Sequence, residues 1–360
     1  MMRTLNFYGS YNAAYHAVSA AARPVVLACS LLCLAGGTAM AQSGVAPASA
    51  SDAAGQASPA RQNPLAQHAM MLSSALAGTR LVTVGANGYV LLSDDAGKSY
   101  RQAAQVPVDF TLTGVSFCDA RQGWAVGHGG TVIHSSDGGE HWSMQRRDNQ
   151  VDQPLYSLYF RDAQHGWAVG LWSLLIQTND GGASWSNIKL PMAEGQKRAD
   201  LNLLNVFADS GTALYIAAEQ GTLYRSVDNG VHWEVKKTGS NGSLWAGVVT
   251  AAHTLIVGGL GGKLFRSSDN GDNWQAVVLP NNGAGPVTGS ITGLKRIGDQ
   301  IVAATLDGNL LQSNDDGRSW QIAATAPVPL TGVVVTHNAT LLGLSKQGPV
   351  ALLTPVETGR

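Results

Sequence analysis

The sequence is poor in cysteine, glutamate and formal charge, and each shortage removes a class of function. Three cysteines occur in 360 residues, and Cys29 and Cys33 fall in a leader-like start. Cys118 is then left alone, so no internal disulfide can form and stability must come from the core. Glutamate occurs five times, as Glu140, Glu194, Glu219, Glu234 and Glu357, which leaves few partners for acid–base catalysis. Charged residues make up 13% of the chain, with 23 basic and 24 acidic side chains and a formal net charge of −1. That balance carries no electrostatic footprint for nucleic acid or an anionic membrane.

The first 41 residues read as a secretory signal. Arg23 precedes an apolar run over residues 24–34, and Ala39-Met40-Ala41 supplies a small-x-small cleavage site before Gln42. A lipid-attachment reading at Cys29 is disfavoured, because few apolar residues separate it from Arg23. Removal of the signal takes Arg3 and Arg23 and leaves 21 basic against 24 acidic side chains, a net charge of −3. Residues 42–64 are Ala, Ser, Gln, Pro and Gly with almost no large apolar side chain, and are expected to form a disordered tether. Residues 65–360 are expected to be the folded domain. No segment beyond the signal reaches the length of a transmembrane helix, so the mature chain is expected to be periplasmic or extracellular.

What the chain has in abundance is repetition. The pattern Ser/Thr-x-Asp-x-Gly-x-x-(Trp/Tyr) occurs six times, on Asp95, Asp137, Asp180, Asp228, Asp269 and Asp315, at steps of 42, 43, 48, 41 and 46 residues. Periods of this length built from short strands indicate propeller blades. Each Asp is expected to be structural, accepting backbone N–H bonds from two or three residues on, while the Gly supplies a positive φ and the aromatic residue packs under the turn. Six equivalent catalytic carboxylates would require six active sites.

A second pattern, Gly-x-(Val/Leu)-x-x-(Ser/Thr), starts at Gly88, Gly130, Gly221, Gly262, Gly308 and Gly348, with Ser173 standing for the glycine in the third unit. That gives seven units, and residues 70–356 divided by seven give 41 residues per unit. The fold class is therefore all-β, a seven-bladed propeller. The last unit has no Asp box, so the ring must be closed by the final residues, by the segment before Met70, or by a three-stranded blade. In each blade the Asp box joins strands c and d and shares a face with the a–b turns. The opposite face carries the b–c turns and the d–a crossings.

The paired strings Val115-Ser116-Phe117-Cys118-Asp119-x-x-x-Gly123-Trp124-Ala125-Val126-Gly127 and Leu158-Tyr159-Phe160-Arg161-Asp162-x-x-x-Gly166-Trp167-Ala168-Val169-Gly170, each leading to an Asp-Gly-Gly-x-x-Trp box, resemble the photosystem II stability/assembly factor-like propellers. The similarity spans residues 70–356. It implies an exported, non-catalytic seven-bladed propeller, and the photosynthetic members of that family help to assemble a membrane complex by binding its unassembled subunits. Asp boxes also occur in sialidases and other glycoside hydrolases. The Phe/Tyr-Arg-Ile-Pro string of a sialidase is absent here, and Tyr224-Arg225-Ser226 and Phe265-Arg266-Ser267 run directly into Asp boxes.

No other constellation specifies chemistry. The histidines show no ligand spacing with cysteine or carboxylate, so no metal and no cofactor is expected. Cys118 has no basic neighbour in sequence and reads as a small core thiol. The expectation is a monomeric protein-binding module with no catalytic residue, whose partner is an extracytoplasmic loop of a membrane complex. The alternatives are an Asp-box glycoside hydrolase and an envelope glycan-binding module. The candidate contact residues lie on the b–c and d–a face: Trp172, and the basic residues Arg146, Arg147, Lys189, Lys197, Arg198, Lys236 and Lys237. Two readings of Trp172 stand open, an interaction anchor or a side chain folded over the channel or a neighbouring blade.

Intact-mass analysis of periplasmic material is expected to give a chain that begins at Gln42. A chain retaining residues 1–41 in the membrane fraction would contradict the cleavage site.

Overall fold

The computed structural model describes residues 57–148, 151–192, 195, 200–283 and 285–353. Among them seven antiparallel sheets form, six of four strands and one of three. The innermost strands, called a, are Met71–Ala77, Leu112–Phe117, Leu155–Phe160, Leu203–Ala208, Leu244–Val249, Ile291–Ile297 and Leu330–Val335, and they open blades 1 to 7. Strands then follow in chain order from the channel to the rim in every blade. The second strands, such as Gly123–Gly127 and Gly166–Gly170, are buried at every residue. Neighbouring blades cover both of their faces, which is why they read as unbroken apolar runs without alternation. Outer strands such as Glu234–Lys237 are polar and open to solvent.

The side chains between blades make up the core. Trp124 of blade 2 stacks on Phe160 of blade 3, with centroids 3.6 Å apart and planes 4° from parallel. Its indole N–H donates across to the Gly181 carbonyl at 3.0 Å. Polar side chains of the innermost strands add a second connection between neighbours. Ser73 Oγ accepts from the Val115 N–H, Thr113 Oγ1 donates to the Leu155 carbonyl, Ser157 Oγ accepts from the Val206 N–H, and Asn205 Oδ1 accepts from the Gly247 N–H. Thr292 Oγ1 donates to Leu330 O, linking blades 6 and 7.

Closure uses a last blade of three strands among the described residues and the segment before Met70. Blade 7 has three strands, Leu330–Val335, Leu341–Ser345 and Gly348–Leu353, and blade 1 keeps all four of its own. Thr331 Oγ1 donates to Met71 O at 2.6 Å, so the innermost strands of blades 7 and 1 are joined as the others are. Ala66, Met71, Leu81, Leu91, Val334, Leu342 and Leu344 form the core between these two blades. The segment before Met70 fills the place of a d–a crossing. Gly221 and Gly348 stand at corresponding turns with φ of +60° and +102°; a Cβ on Gly221 would run into the Ser240 carbonyl of a crossing, and one on Gly348 into the Gln67 carbonyl.

Residues 57–64, placed in the disordered segment by their composition, lie on blade 1. Ala60 N–H donates to Val106 O at 3.0 Å, the Gln62 amide to Ala103 O at 2.8 Å, and the Asn63 amide to the Tyr89 hydroxyl at 2.9 Å. Backbone and amide hydrogen bonds hold this segment, with Ala57 and Ala60 packed against the core, a route that composition does not reveal. Residues 1–41, 42–56 and 354–360 lie outside the described residues.

The six Asp boxes are one geometry repeated. In each, Asp Oδ1 accepts the N–H four residues on at 2.9 to 3.0 Å, as in His141, Ser184 and Ser319. The donor expected three residues on is present in the first two boxes, where Lys98 N–H and Glu140 N–H reach the Asp95 and Asp137 carboxylates at 3.1 Å, and two successive positive-φ residues, for example Gly181 at 70° and Gly182 at 90°, bring in the fourth. Asp Oδ2 takes the side chain of that same fourth residue, a Ser, His or Asn, at 2.6 to 2.8 Å. The Ser184 hydroxyl and amide, and then the Thr178 hydroxyl, hold the Asp180 carboxyl down at about 2. The other five box carboxyls are also held at about 2.

In the sixth box the first of these turn residues is Asp316, with φ of 62°, and it reaches back to blade 5. Its carboxylate meets Arg266 at 2.5 Å and accepts from the hydroxyls of Thr250 and Thr254 at 2.5 and 2.7 Å. The Arg266 and Asp316 side chains are 9% and 17% exposed. The rim pair Arg101–Glu140 is more open, with Arg101 47% exposed.

Two measurements test these connections. Because the box carboxyls are lowered from 3.8 to about 2, their stabilisation is complete above pH 3.8 and is lost as pH falls towards 2. Melting temperature is expected to be insensitive to these groups above that window and to fall within it, with Asp180→Asn blunting the fall. In denaturant titration, Asp316→Ala leaves Arg266 uncompensated and is expected to cost about 3 kcal/mol, against under about 1 kcal/mol for Arg101→Ala.

Candidate functional site

The b–c turns and the starts of the innermost strands lie on one face. The N–H groups of Ala86, His128, Leu171, Glu219, Leu260 and Leu306 donate to the carbonyls of Met70, Thr111, Pro154, Asn202, Ser243 and Ser290. Each bond fastens a b–c turn to the segment entering strand a of the same blade, so this face is a set of pinned turns around one channel mouth. On the other face the Asp boxes bond to the a–b turns, as Gly138 N–H does to Arg121 O and Gly181 N–H to Gln164 O, both at 3.0 Å.

Trp172 stands out on the first of these faces. It is 54% exposed and is not among the residues that line the channel. Its φ is 52° and that of Ser173 is 57°, a conformation that costs a bulky side chain about 1–2 kcal/mol. Three contacts hold it there. Trp172 N–H donates to Asn202 Oδ1 at 3.2 Å, Ser173 N–H donates to Leu201 O at 2.7 Å, and Asn202 is itself fixed by Glu219. Asn202 N–H and Nδ2 donate to the two Glu219 oxygens at 2.9 and 3.0 Å. Further apolar side chains share the face. Leu260 and Leu306, on the b–c turns of blades 5 and 6, are each 39% exposed, and Val151 and Met192 project from crossings.

The basic residues divide. Arg146 donates to the Gly130 carbonyl and pairs with Asp148 at 3.6 Å. Burial pushes the Arg146 pKa down. Arg147 lies over the Phe110 ring, 5.3 Å from its centroid. Lys236 pairs with Asp272 at 2.6 Å and Glu234 at 3.2 Å, and Lys237 donates to Thr222 Oγ1 at 2.7 Å. All four have partners within the fold, but only Arg146 and Lys236 meet carboxylates, and Lys237 remains exposed. Lys189 is exposed in the crossing from blade 3 to blade 4. Lys197 and Arg198 lie outside the described residues.

Glu219 has both oxygens engaged by Asn202. Burial, and then the Asp119 charge, push the Cys118 thiol up to about 11. Among the described residues no three His, Cys, Asp or Glu side chains gather as metal ligands, and no helix is long and apolar enough to cross a membrane. Sequence reading missed the apolar companions Leu260 and Leu306. Their signal was present, since both occupy the first position of a b–c turn, where Leu171 stands in blade 3 and Ala86, His128, Glu219 and Lys346 stand in the others.

Residues 96–244 match the family model of the photosynthesis system II assembly factor YCF48. The resemblance read from the repeats holds. The solved structure "YCF48 bound to D1 peptide" superposes with a TM-score of 0.64 at 19% identity, over 84% of this chain and 98% of that one. YCF48 from Cyanidioschyzon merolae gives 0.62 at 16% identity, over 82% and 98%. The propeller architecture is shared more widely: the extracellular domain of a putative one component system, BT4673, from B. thetaiotaomicron gives 0.59 at 11% identity, over 79% of this chain and 38% of that one. No curated protein matches the sequence.

Proposed function

We propose that this chain is an exported, non-catalytic propeller that binds extracytoplasmic segments of a membrane complex and assists the assembly or stability of that complex. The observation that carries the reading is the presentation of Trp172. A large aromatic side chain is held in a strained backbone conformation, pinned through Asn202 and Glu219, and left more than half exposed. Strain of this kind persists where surrounding contacts enforce it, and an exposed, fixed Trp is the residue type that anchors protein interfaces.

The neighbourhood supports a protein partner over a glycan. Leu260, Leu306, Val151 and Met192 extend the apolar surface across several blades, whereas a sugar site would need converging hydrogen-bonding side chains beside the ring. Export is supported by the signal-like start, and partner binding by the solved YCF48 with its D1 peptide. The engagement of both Glu219 oxygens and the raised Cys118 thiol support the non-catalytic reading over glycoside hydrolysis.

Synthetic peptides covering the extracytoplasmic loops and termini of the host's membrane complexes provide the test. Trp172→Gly is expected to weaken binding of the recognised peptide by roughly tenfold or more, while relief of the positive-φ strain leaves the melting temperature unchanged or raises it. Lys98→Glu, on the opposite face, is expected to change neither quantity. Equal losses from both variants would remove the b–c face from the account.

A further inference from the structure

The channel has a second departure from sevenfold repetition, at its other mouth. Strand pairing fixes which residues correspond. The position of Lys295, paired with Val302, is held in blades 1 to 5 by Ala75, Ser116, Tyr159, Phe207 and Val248, and in blade 7 by Val334. The position of Arg296 is held by Leu76, Phe117, Phe160, Ala208, Val249 and Val335. Blade 6 alone puts charge there, two cations in succession at the end of its innermost strand. Both line the central channel, a cavity of about 800 Å³, near the a–b turns and hence on the Asp-box face.

The fold does not use these charges. Neither side chain has an ion pair or hydrogen bond within the described residues, and both are exposed to the lumen. Lys295 is nevertheless ringed by the channel wall, and the resulting desolvation pushes its ammonium pKa down with no carboxylate raising it. Of the other titratable groups that line the channel, Asp209 turns its carboxylate to its own backbone, accepting from Gly211 N–H at 2.9 Å and Ala213 N–H at 3.2 Å, and His253 sits on the a–b turn of blade 5. Asp299 lies on the a–b turn of blade 6, outside the channel lining. Among the described lining residues two cations stand against the one carboxylate of Asp209, and the net positive charge in a concavity with low-dielectric walls focuses positive potential into the lumen. Phe117 and Tyr159 line the same channel and supply apolar surface at the same level as the charge.

We propose that this channel mouth is a carboxylate-binding site built on Lys295 and Arg296. The guanidinium offers a planar pair of donors to the carboxylate, and the ammonium neutralises it from the adjacent position. The carboxylate is carried either by a free small acid or by an acidic peptide entering the lumen. The site is on the face opposite Trp172, so it stands or falls separately from the proposed partner face.

Calorimetric titration of the purified protein with succinate, and separately with a blocked peptide of alternating Asp and Glu, tests the assignment. Saturable binding of succinate assigns a free acid, and binding of the peptide alone assigns a chain segment. In either case Lys295→Gln with Arg296→Gln is expected to weaken binding at least about tenfold, the loss of roughly one charge-assisted hydrogen bond. The same double variant without ligand is expected to melt at or above the temperature of the parent, because it removes an uncompensated desolvated charge, and Trp172→Gly is expected to leave this binding unchanged. No saturable binding of either probe in the millimolar range, or equal binding by the double variant, would overturn the proposal.

Discussion

Everything in this molecule depends on the last blade binding the first. A ring of stacked sheets hides its faces only when it is closed, and an open ring would expose the apolar faces of blades 1 and 7 together. Many connections between adjacent blades come free with chain continuity, but this one must be made by residues about 260 apart. It is made without sharing an outer strand. Thr331 Oγ1 donates to Met71 O, Ala66 and Met71 pack with Val334 and Leu342, and the chain from Ala57 onward lies along blade 1 and under the Gly348 turn. The N-terminal approach to the fold is thus part of its closure.

Closure by repetition yields a stiff scaffold whose ordinary positions carry no individual role, and that sets where function can reside. The six Asp boxes repeat the bond from the fourth residue on at 2.9 to 3.0 Å. Departures are informative because the other blades serve as controls. Trp172 sits where small or polar residues stand elsewhere, and Lys295 and Arg296 sit where apolar or small residues do. Asp316 departs as well, but its charge is consumed by Arg266, Thr250 and Thr254 and so reads as a fastening between blades 5 and 6.

The architecture was legible because it is periodic. Blade number, the two-face division and the structural character of the Asp boxes follow from spacing, and each repeated copy reinforces the others. Features made by contacts between distant segments were not legible. Residues 57–64 looked like tether because composition records apolar content, whereas they are held by backbone and amide hydrogen bonds to blade 1. The basic residues of the crossings looked like one positive sector because sequence shows charge without its partners. In the fold Arg146, Arg147, Lys236 and Lys237 turn to a carbonyl, an aromatic ring, two carboxylates and a hydroxyl. Trp172 was visible in sequence, but its exposure and its pinning through Asn202 were not. Lys295 and Arg296 could have been found by aligning the seven innermost strands, although the bulge near the start of most of them obscures the register.

The central claim is that partner recognition is placed on the b–c face. Photo-crosslinking in intact cells tests it most directly, with a photoreactive side chain replacing Trp172 in one strain and Lys98 in another. The account predicts a crosslink from position 172 to an extracytoplasmic segment of a membrane-complex subunit, with none from position 98. Crosslinks to such a subunit from position 98 but not from position 172 would contradict it.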